Sequence, residues 1–360
     1  MNGTSNDSTS LALMSDASRM LAEASTIQQA KELKDLALTA ADWARRKGMG
    51  DEAIQYAKSY ALRAERKMGE MLKATELQHG ARGVGKSGVT QSNPTPTLSE
   101  LEITKRDSAD AQFLASLEEE EFEKVATGKK TKSAAKKEAR KRELKDARDK
   151  LAEEGRKAEL NDRWNVEVAD IREHTADSKF DFIITDPPYK REYIELYEVL
   201  AERSLEWLKP SGLLLAMCGQ SYLAQIMESM SRHLTYYWTG CYLLPGQPTP
   251  LRQRQVNTSW KPILVFGHPG GEYKGKIFGD VWKSDGNDKG SHKWGQSVSG
   301  MTSIISQVCL PGQSIFDPFC GAGTTGISAL RHGCSFDGID IEQRNVDISR
   351  ARLAEVSDDS

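Results

Sequence analysis

After Leu160 the sequence alternates short β-rich runs with stretches of helical period, and this alternation limits the fold more than any other feature. Apolar runs of this kind, spaced by helices, build a parallel sheet covered on both faces. Strands are expected at 164–168, 180–185, 212–217, 234–243, 262–266, 314–316 and 336–339. Helices are expected at 192–208, 221–231, 298–308, 324–332 and 343–353. The fold class is therefore α/β, a doubly wound, mostly parallel sheet of seven strands, preceded by an α-helical N-terminal region.

That first region has a different texture. From about Ser18 to Ala74 it is rich in Ala, Leu, Glu, Lys and Arg, with apolar residues three and four apart and a break near Gly48–Gly50. A loop rich in Gly, Ser, Asn, Thr and Pro follows at 80–96. Within it, Gly80 to Ser87 matches the phosphate-binding pattern G-x-x-x-x-G-K-[ST]. The pattern needs a buried strand before it and a helix after it, and neither is expected here, so no ATP site is assigned.

The stretch 97–128 reads as short helices, with Ser99 and Ser108 as N-caps and a break around Ile103–Thr104. It resembles a helix-turn-helix module, and reads equally as a packing or homodimer contact. Residues 129–157 form a strongly helical, cationic segment, either a solvated linker or a phosphate-contacting arm. The expected division is 1–128 helical, 129–160 basic linker, and 161–360 α/β domain.

The whole-chain net charge of -3 hides these local asymmetries. Five cysteines, Cys218, Cys241, Cys309, Cys320 and Cys334, include no CxxC pair. Reduced thiols without structural zinc are the expectation. The start MNGTSNDSTS lacks a signal peptide's basic and apolar regions, and no apolar run is long enough to span a bilayer. A cytoplasmic location without membrane partners is expected.

A cofactor loop is legible at 314–326, where an expected strand meets a Gly-rich turn and opens a helix. Gly321 and Gly323 allow a tight turn and close backbone approach to a ligand, and Asp340 ends the next strand, where a carboxylate can meet ribose hydroxyls. Gly321, Gly323, Gly326 and Asp340 also satisfy the dinucleotide fingerprint, so an NAD-dependent oxidoreductase is a rival reading.

A second loop, Asp186-Pro187-Pro188-Tyr189, follows the apolar strand at 180–185. Its prolines stiffen the backbone and leave carbonyls as acceptors. An exocyclic amino group is a poor nucleophile because its lone pair is delocalised into the ring. The Asp186 carboxylate and the Pro187 carbonyl are acceptors for its protons, and Tyr189 offers a face for a stacked base.

On these residues the chain resembles the S-adenosylmethionine-dependent amino-methyltransferases of DNA, the DNA methylase N-4/N-6 family, bacterial or phage in type. Its hallmarks are the Asp-Pro-Pro-Tyr loop and a Phe-x-Gly-x-Gly loop, here Phe319-Cys-Gly321-Ala-Gly323. The resemblance covers about residues 164–355, and the order of the loops is that of the permuted class called β. It implies a methyltransferase sheet, with S-adenosylmethionine held by Asp170, Asp317, Phe319, Gly321, Gly323, Thr324, Thr325 and Asp340. It further implies catalysis by Asp186, Pro187, Pro188 and Tyr189, with direct in-line transfer and no metal. At 291–297 the Lys-Pro that the family usually carries is missing.

The family's cytosine-N4 enzymes usually carry Ser at the Asp186 position, so the resemblance favours adenine N6 in double-stranded DNA, reached by base flipping. Target recognition is expected in an insertion at about 267–291 carrying Lys274, Lys276, Lys283, Lys289 and Trp282. Arg252 and Arg254 are read as backbone clamps. N4-cytosine methylation and a non-catalytic DNA-binding regulator are the remaining alternatives. The enzyme would be an orphan methylase or half of a restriction-modification pair.

Overall fold

The computed structural model describes residues 19–75, 96–159, 161–176, 178–244, 246–284 and 297–358. The phosphate-loop match at 80–87, Lys289 and the segment 291–296 lie outside the described residues. The chain divides into two compact units, Met1–Arg142 and Glu143–Ser360.

In the first unit, α1 (Ile27–Arg46) and α2 (Asp51–Ala74) pack through buried alanines, among them Ala30, Ala41, Ala61 and Ala64. Side chains this small let two helices approach closely. Thr26 starts α1 with a capping box: Gln29 N donates to Thr26 Oγ1 and Thr26 N donates to Gln29 Oε1, each at 3.2 Å. α2 crosses α3 (Lys105–Leu114) backbone to backbone, since a Cβ on Gly69 would lie 2.0 Å from the Ala111 carbonyl oxygen.

Thr104 is the N-cap of α3, accepting from Asp107 N at 3.0 Å, while Ser108 lies buried inside the helix and Ser99 sits in a turn. Thr104 wins because Asp107, at the third helical position, accepts its hydroxyl proton at 2.6 Å. The break between the short helices therefore falls at 115–118, before α4 (Glu119–Ala126).

The basic segment is α5 (Lys132–Gly155), continuous across the division between the units. Much of its early charge is spent internally. Lys130 pairs with Glu121 and Glu138, Lys132 with Glu65 and Asp110, and Lys136 with Asp110. Lys137, Arg140, Lys141 and Lys145 remain exposed.

The second unit is built on an eight-stranded sheet in the order β1-β10-β9-β2-β3-β7-β4-β8, with a separate β5–β6 ribbon. The strands are β1 (Trp164–Val168), β2 (Phe180–Thr185), β3 (Leu208–Met217), β4 (Thr235–Leu243), β5 (Thr249–Leu251), β6 (Val256–Thr258), β7 (Trp260–Gly267), β8 (Val281–Lys283), β9 (Ser314–Asp317) and β10 (Ser335–Asp340). From β1 to β3 the neighbours are parallel, and β7 runs antiparallel between β3 and β4.

Alternate residues explain the layering. Phe182, Ile184, Leu213, Leu215, Ile263 and Val265 face one core with α8 (Val298–Val308), α9 (Thr324–Arg331) and α10 (Gln343–Asp358). Ile183, Leu214, Ala216, Leu264 and Phe266 face the other with α6 (Glu195–Trp207) and α7 (Leu223–Met230). Strands buried on both faces read as continuous apolar runs, and this is the doubly wound arrangement.

β2 and β9 lie side by side; the chain passes from β2 outward to β3 and from β9 the other way to β10. Their carboxyl ends flank the topological switch point, the crevice in which such sheets bind ligands.

Candidate active site

The Gly-rich loop leaves β9 at Asp317, which is fully buried. Thr185 Oγ1 and Phe319 N donate to its Oδ1 at 2.6 and 3.0 Å, and Thr325 Oγ1 donates to its Oδ2 at 2.6 Å. The carboxylate thus ties the end of β2, the loop and α9 together. Burial raises its pKa to about 6, and the Asp186 charge adds to the rise, against the three hydrogen bonds. Thr324 and Thr325 are buried as well, so these three residues face the framework.

Gly323 is the N-cap of α9 with φ of 76°, and a Cβ there would strike Ser349 Oγ at 2.4 Å. Gly321 also has a positive φ, 52°, but a Cβ on it would meet only Phe319 O, at 4.0 Å. Packing demands glycine at 323, whereas at 321 the backbone borders open space. Arg352 Nη1, missed in the sequence, braces the loop by donating to the Ala322 carbonyl.

At the neighbouring strand end, Asp340 Oδ2 accepts from Gly321 N at 3.0 Å, and its Oδ1 accepts from Glu342 N and Asn345 Nδ2 at 2.9 and 3.1 Å. Asp170 Oδ1 accepts from Arg172 N at 2.9 Å, just beyond β1. Asp170, Pro188, Phe319 and Asp340 line a single cleft of about 350 Å³ with the exposed Ile341. Ile341, also missed, gives the cleft an apolar wall.

The Asp-Pro-Pro-Tyr loop follows β2 directly, with Pro187 buried and Asp186, Pro188 and Tyr189 half-buried. The Tyr189 hydroxyl donates to Asp186 Oδ1. Lys261 on β7 donates to the same hydroxyl at 3.1 Å and lies 4.6 Å from the ring centroid. Nothing in the local sequence WKPILVF marks Lys261, because its role depends on strand order. Gly219, just after β3, runs alongside the Tyr189 side chain, its built Cβ 3.5 Å from Tyr189 Cβ. Next to it, burial and the Asp186 charge push the Cys218 thiol up to about 12.

The five cations read as DNA contacts separate. Arg252 and Arg254 sit at the turn of the β5–β6 ribbon, where Arg254 Nη2 donates to Ser221 O at 3.2 Å. Lys283 is exposed on β8, paired in register with Leu243 at the carboxyl end of β4. These three share the edge of the sheet on which the two loops emerge.

Lys274 and Lys276 do not. Their segment packs beside Pro210, at the entry to β3, where a Cβ on Gly271 would lie 1.9 Å from Pro210 O. Lys274 pairs with Glu272 at 3.2 Å and Lys276 Nζ donates to Ser306 O at 2.6 Å. Trp282 is completely buried over Gly240, as part of the core. The described part of the insertion is thus anchored on the α/β unit through Gly271, Tyr273 and Lys276 and ends in the short edge strand β8, and two of its lysines do not share the edge on which the loops emerge.

Comparisons with known proteins converge on one class. Residues 252–351, which contain the Gly-rich loop, match the N6_N4_Mtase family model, described as DNA methylase. The chain is 26% identical over 198 residues to the putative methylase YubD of Escherichia coli, covering 49% of this chain and 82% of that protein. It is 38% identical over 84 residues to the type II methyltransferase M2.DpnII of Streptococcus pneumoniae, covering 22% of this chain and 31% of that protein. With M.BglII of Bacillus subtilis it shares 23% identity over 259 residues, 57% of this chain and 72% of that one. Among solved structures, the complex of M1.HpyAVI with S-adenosylmethionine aligns at 25% identity and a TM-score of 0.44, covering 53% of this chain and 98% of that chain.

The matched segment is similar to the N6/N4 DNA methylases, and S-adenosylmethionine is the cofactor that this resemblance implies. The residues present fit such a molecule: open space over Gly321, carboxylates at Asp170 and Asp340 and an apolar wall at Phe319 and Ile341 suit a nucleoside. Among the described residues no helix is long and apolar enough to cross a membrane.

Proposed function

We propose that the chain methylates the N6 amino group of adenine in double-stranded DNA. The observation that carries the reading is the convergence of two loops on adjacent strands, so that Pro188 of one and Phe319 of the other line a single cleft. Bound S-adenosylmethionine supplies an electrophilic methyl group on a positively charged sulfur. Asp170, Phe319, Gly321, Asp340 and Ile341 hold it, while Asp317, Thr324 and Thr325 fix the loop that they share.

Asp186 accepts a hydrogen bond from the target amino group, which favours a more tetrahedral and nucleophilic nitrogen. As the nitrogen–methyl bond forms, the methyl–sulfur bond breaks to leave a neutral thioether, and the nitrogen's surplus proton passes to water. Tyr189 supplies a stacking face for a base turned out of the duplex, offsetting an unstacking cost of a few kcal/mol. Arg252, Arg254 and Lys283, on the same edge, contact the phosphate backbone. An aspartate at position 186 favours adenine over cytosine on the family pattern.

The test is transfer of labelled methyl groups from S-adenosylmethionine to unmethylated duplex DNA, followed by nucleoside analysis of the product. N6-methyladenine is expected, with Asp186→Ala slowing transfer by roughly a hundredfold or more while leaving cofactor affinity unchanged. N4-methylcytosine as the product would overturn the choice of base. Transfer that survives Asp186→Ala would overturn the assigned loop.

A further inference from the structure

We propose that Lys261 is the positioning residue of the catalytic loop, holding Tyr189 in place as the target amino group replaces the Tyr189 hydroxyl on Asp186. The inference rests on the methyltransferase reading above and assigns a role to a residue outside both sequence motifs.

Three observations carry it. Lys261 engages Tyr189 twice, through the hydrogen bond to the hydroxyl at 3.1 Å and through the ring face at 4.6 Å. Among the described residues its ammonium forms no ion pair with a carboxylate within 4.0 Å. Its backbone is braced on both sides: Trp260 O accepts from Gln220 Nε2 at 2.9 Å and Pro262 O accepts from Cys218 N at 3.1 Å. Those braces come from the segment 218–220 that also runs alongside Tyr189, so lysine and ring are fixed against the same piece of chain.

The direction of the hydrogen bonds gives the role. An ammonium only donates, so the Tyr189 oxygen accepts from Lys261 and its own proton points to Asp186. Asp186 Oδ1 is therefore occupied by the hydroxyl before a base arrives. When the amino group of the target takes that oxygen, the hydroxyl loses one partner and keeps the other. Lys261 then keeps the ring from swinging away, so that stacking and amino-group binding occur together.

The experiment compares wild type, Lys261→Met, Lys261→Arg, Tyr189→Phe and the Lys261→Met/Tyr189→Phe double variant. Each is assayed for S-adenosylmethionine affinity by tryptophan fluorescence, and for kcat and KM with unmethylated duplex DNA at saturating cofactor. Lys261→Met is expected to lower kcat/KM for DNA roughly tenfold, the size of one hydrogen bond from a charged donor. Lys261→Arg should restore most of it, and cofactor affinity should stay within about twofold in every variant, because Lys261 touches the tyrosine and not the cleft. In the Tyr189→Phe background the loss from Lys261→Met should shrink, since the hydroxyl partner is already gone.

Equal losses for Met and Arg, strict additivity with Tyr189→Phe, or a parallel fall in cofactor affinity would each overturn the inference. So would a fully active Lys261→Met. A wild type that binds the cofactor but methylates no DNA would instead bring down the parent reading.

Discussion

At the scale of single residues, the site rests on a buried carboxyl whose environment works against its ordinary chemistry. Asp317 carries a buried carboxyl with its pKa raised from 3.8 to about 6. Because the folded value lies above the unfolded one, its contribution to stability is present in full below about pH 4 and is lost as pH rises through about 6. The stability of wild type relative to Asp317→Asn should therefore fall by about 2 kcal/mol between pH 4 and pH 7. Denaturant unfolding of both proteins at each pH measures this, and a constant difference would mean the carboxyl is already ionised at pH 4. The loop glycines make a second contrast. Gly323→Ala adds a clash with Ser349 to an unfavourable φ and should cost about 2–3 kcal/mol of stability. Gly321→Ala meets only the φ penalty, about 1 kcal/mol, yet should weaken S-adenosylmethionine binding tenfold or more by filling the space over the loop. Thermal unfolding and cofactor titration of the two variants separate a packing glycine from a ligand-facing one.

At the scale of elements, what the sequence made legible is what local pattern encodes. β1, β2 and α8 fall within the expected bounds, because apolar–polar alternation marks Trp164–Val168, an apolar run marks Phe180–Thr185 and apolar residues at helical spacing mark Val298–Val308. β8 was not legible: Val281–Lys283 is three residues long and becomes a strand only because β4 offers an edge to pair with. Lys261 was invisible for the same reason, since its neighbour Tyr189 lies far away in sequence and arrives through the order of strands. Lys276 shows the opposite case: its charge suggests a phosphate contact, and tertiary structure gives its ammonium a helix carbonyl as a partner. This difference makes a prediction about DNA. Neutralising Arg252 and Arg254 together should weaken binding and reduce the slope of log K against log salt by about 2, one for each phosphate that is no longer neutralised. Neutralising Lys274 and Lys276 should leave that slope unchanged, and fluorescence anisotropy across a salt series reads both. Equal slopes for the two pairs would mean that the sheet edge does not select which cations meet DNA.

At the scale of the whole molecule, the division between the units runs through α5, at Arg142 and Glu143, and not at the change of sequence texture near Leu160. The second part of that helix belongs physically to the α/β unit. Ala152 is buried, and a Cβ on Gly155 would lie 1.7 Å from the Asp347 carbonyl oxygen, so helix and α10 touch backbone to backbone. Arg148 Nη2 donates to Asn345 Oδ1 at 3.0 Å and Arg156 Nε donates to Asp347 Oδ2 at 3.1 Å. Asp347 is only 1% exposed, and without Arg156 it keeps a single hydrogen bond, from Gln343 Nε2 at 2.8 Å. Removing one partner of a buried ion pair costs about 3–5 kcal/mol, and less where, as here, the cation itself is exposed. Two truncations follow from this. A chain beginning at residue 143 retains the packing of α5 on α10 and is expected to bind S-adenosylmethionine with the affinity of the full chain. A chain beginning at 161 lacks that packing, uncovers Asp347 and is expected to unfold at least about 5 °C lower. Cofactor titration and thermal unfolding of the two truncated chains decide the matter: equal unfolding temperatures would put the end of the α/β unit at Leu160, where the amino-acid pattern alone draws it.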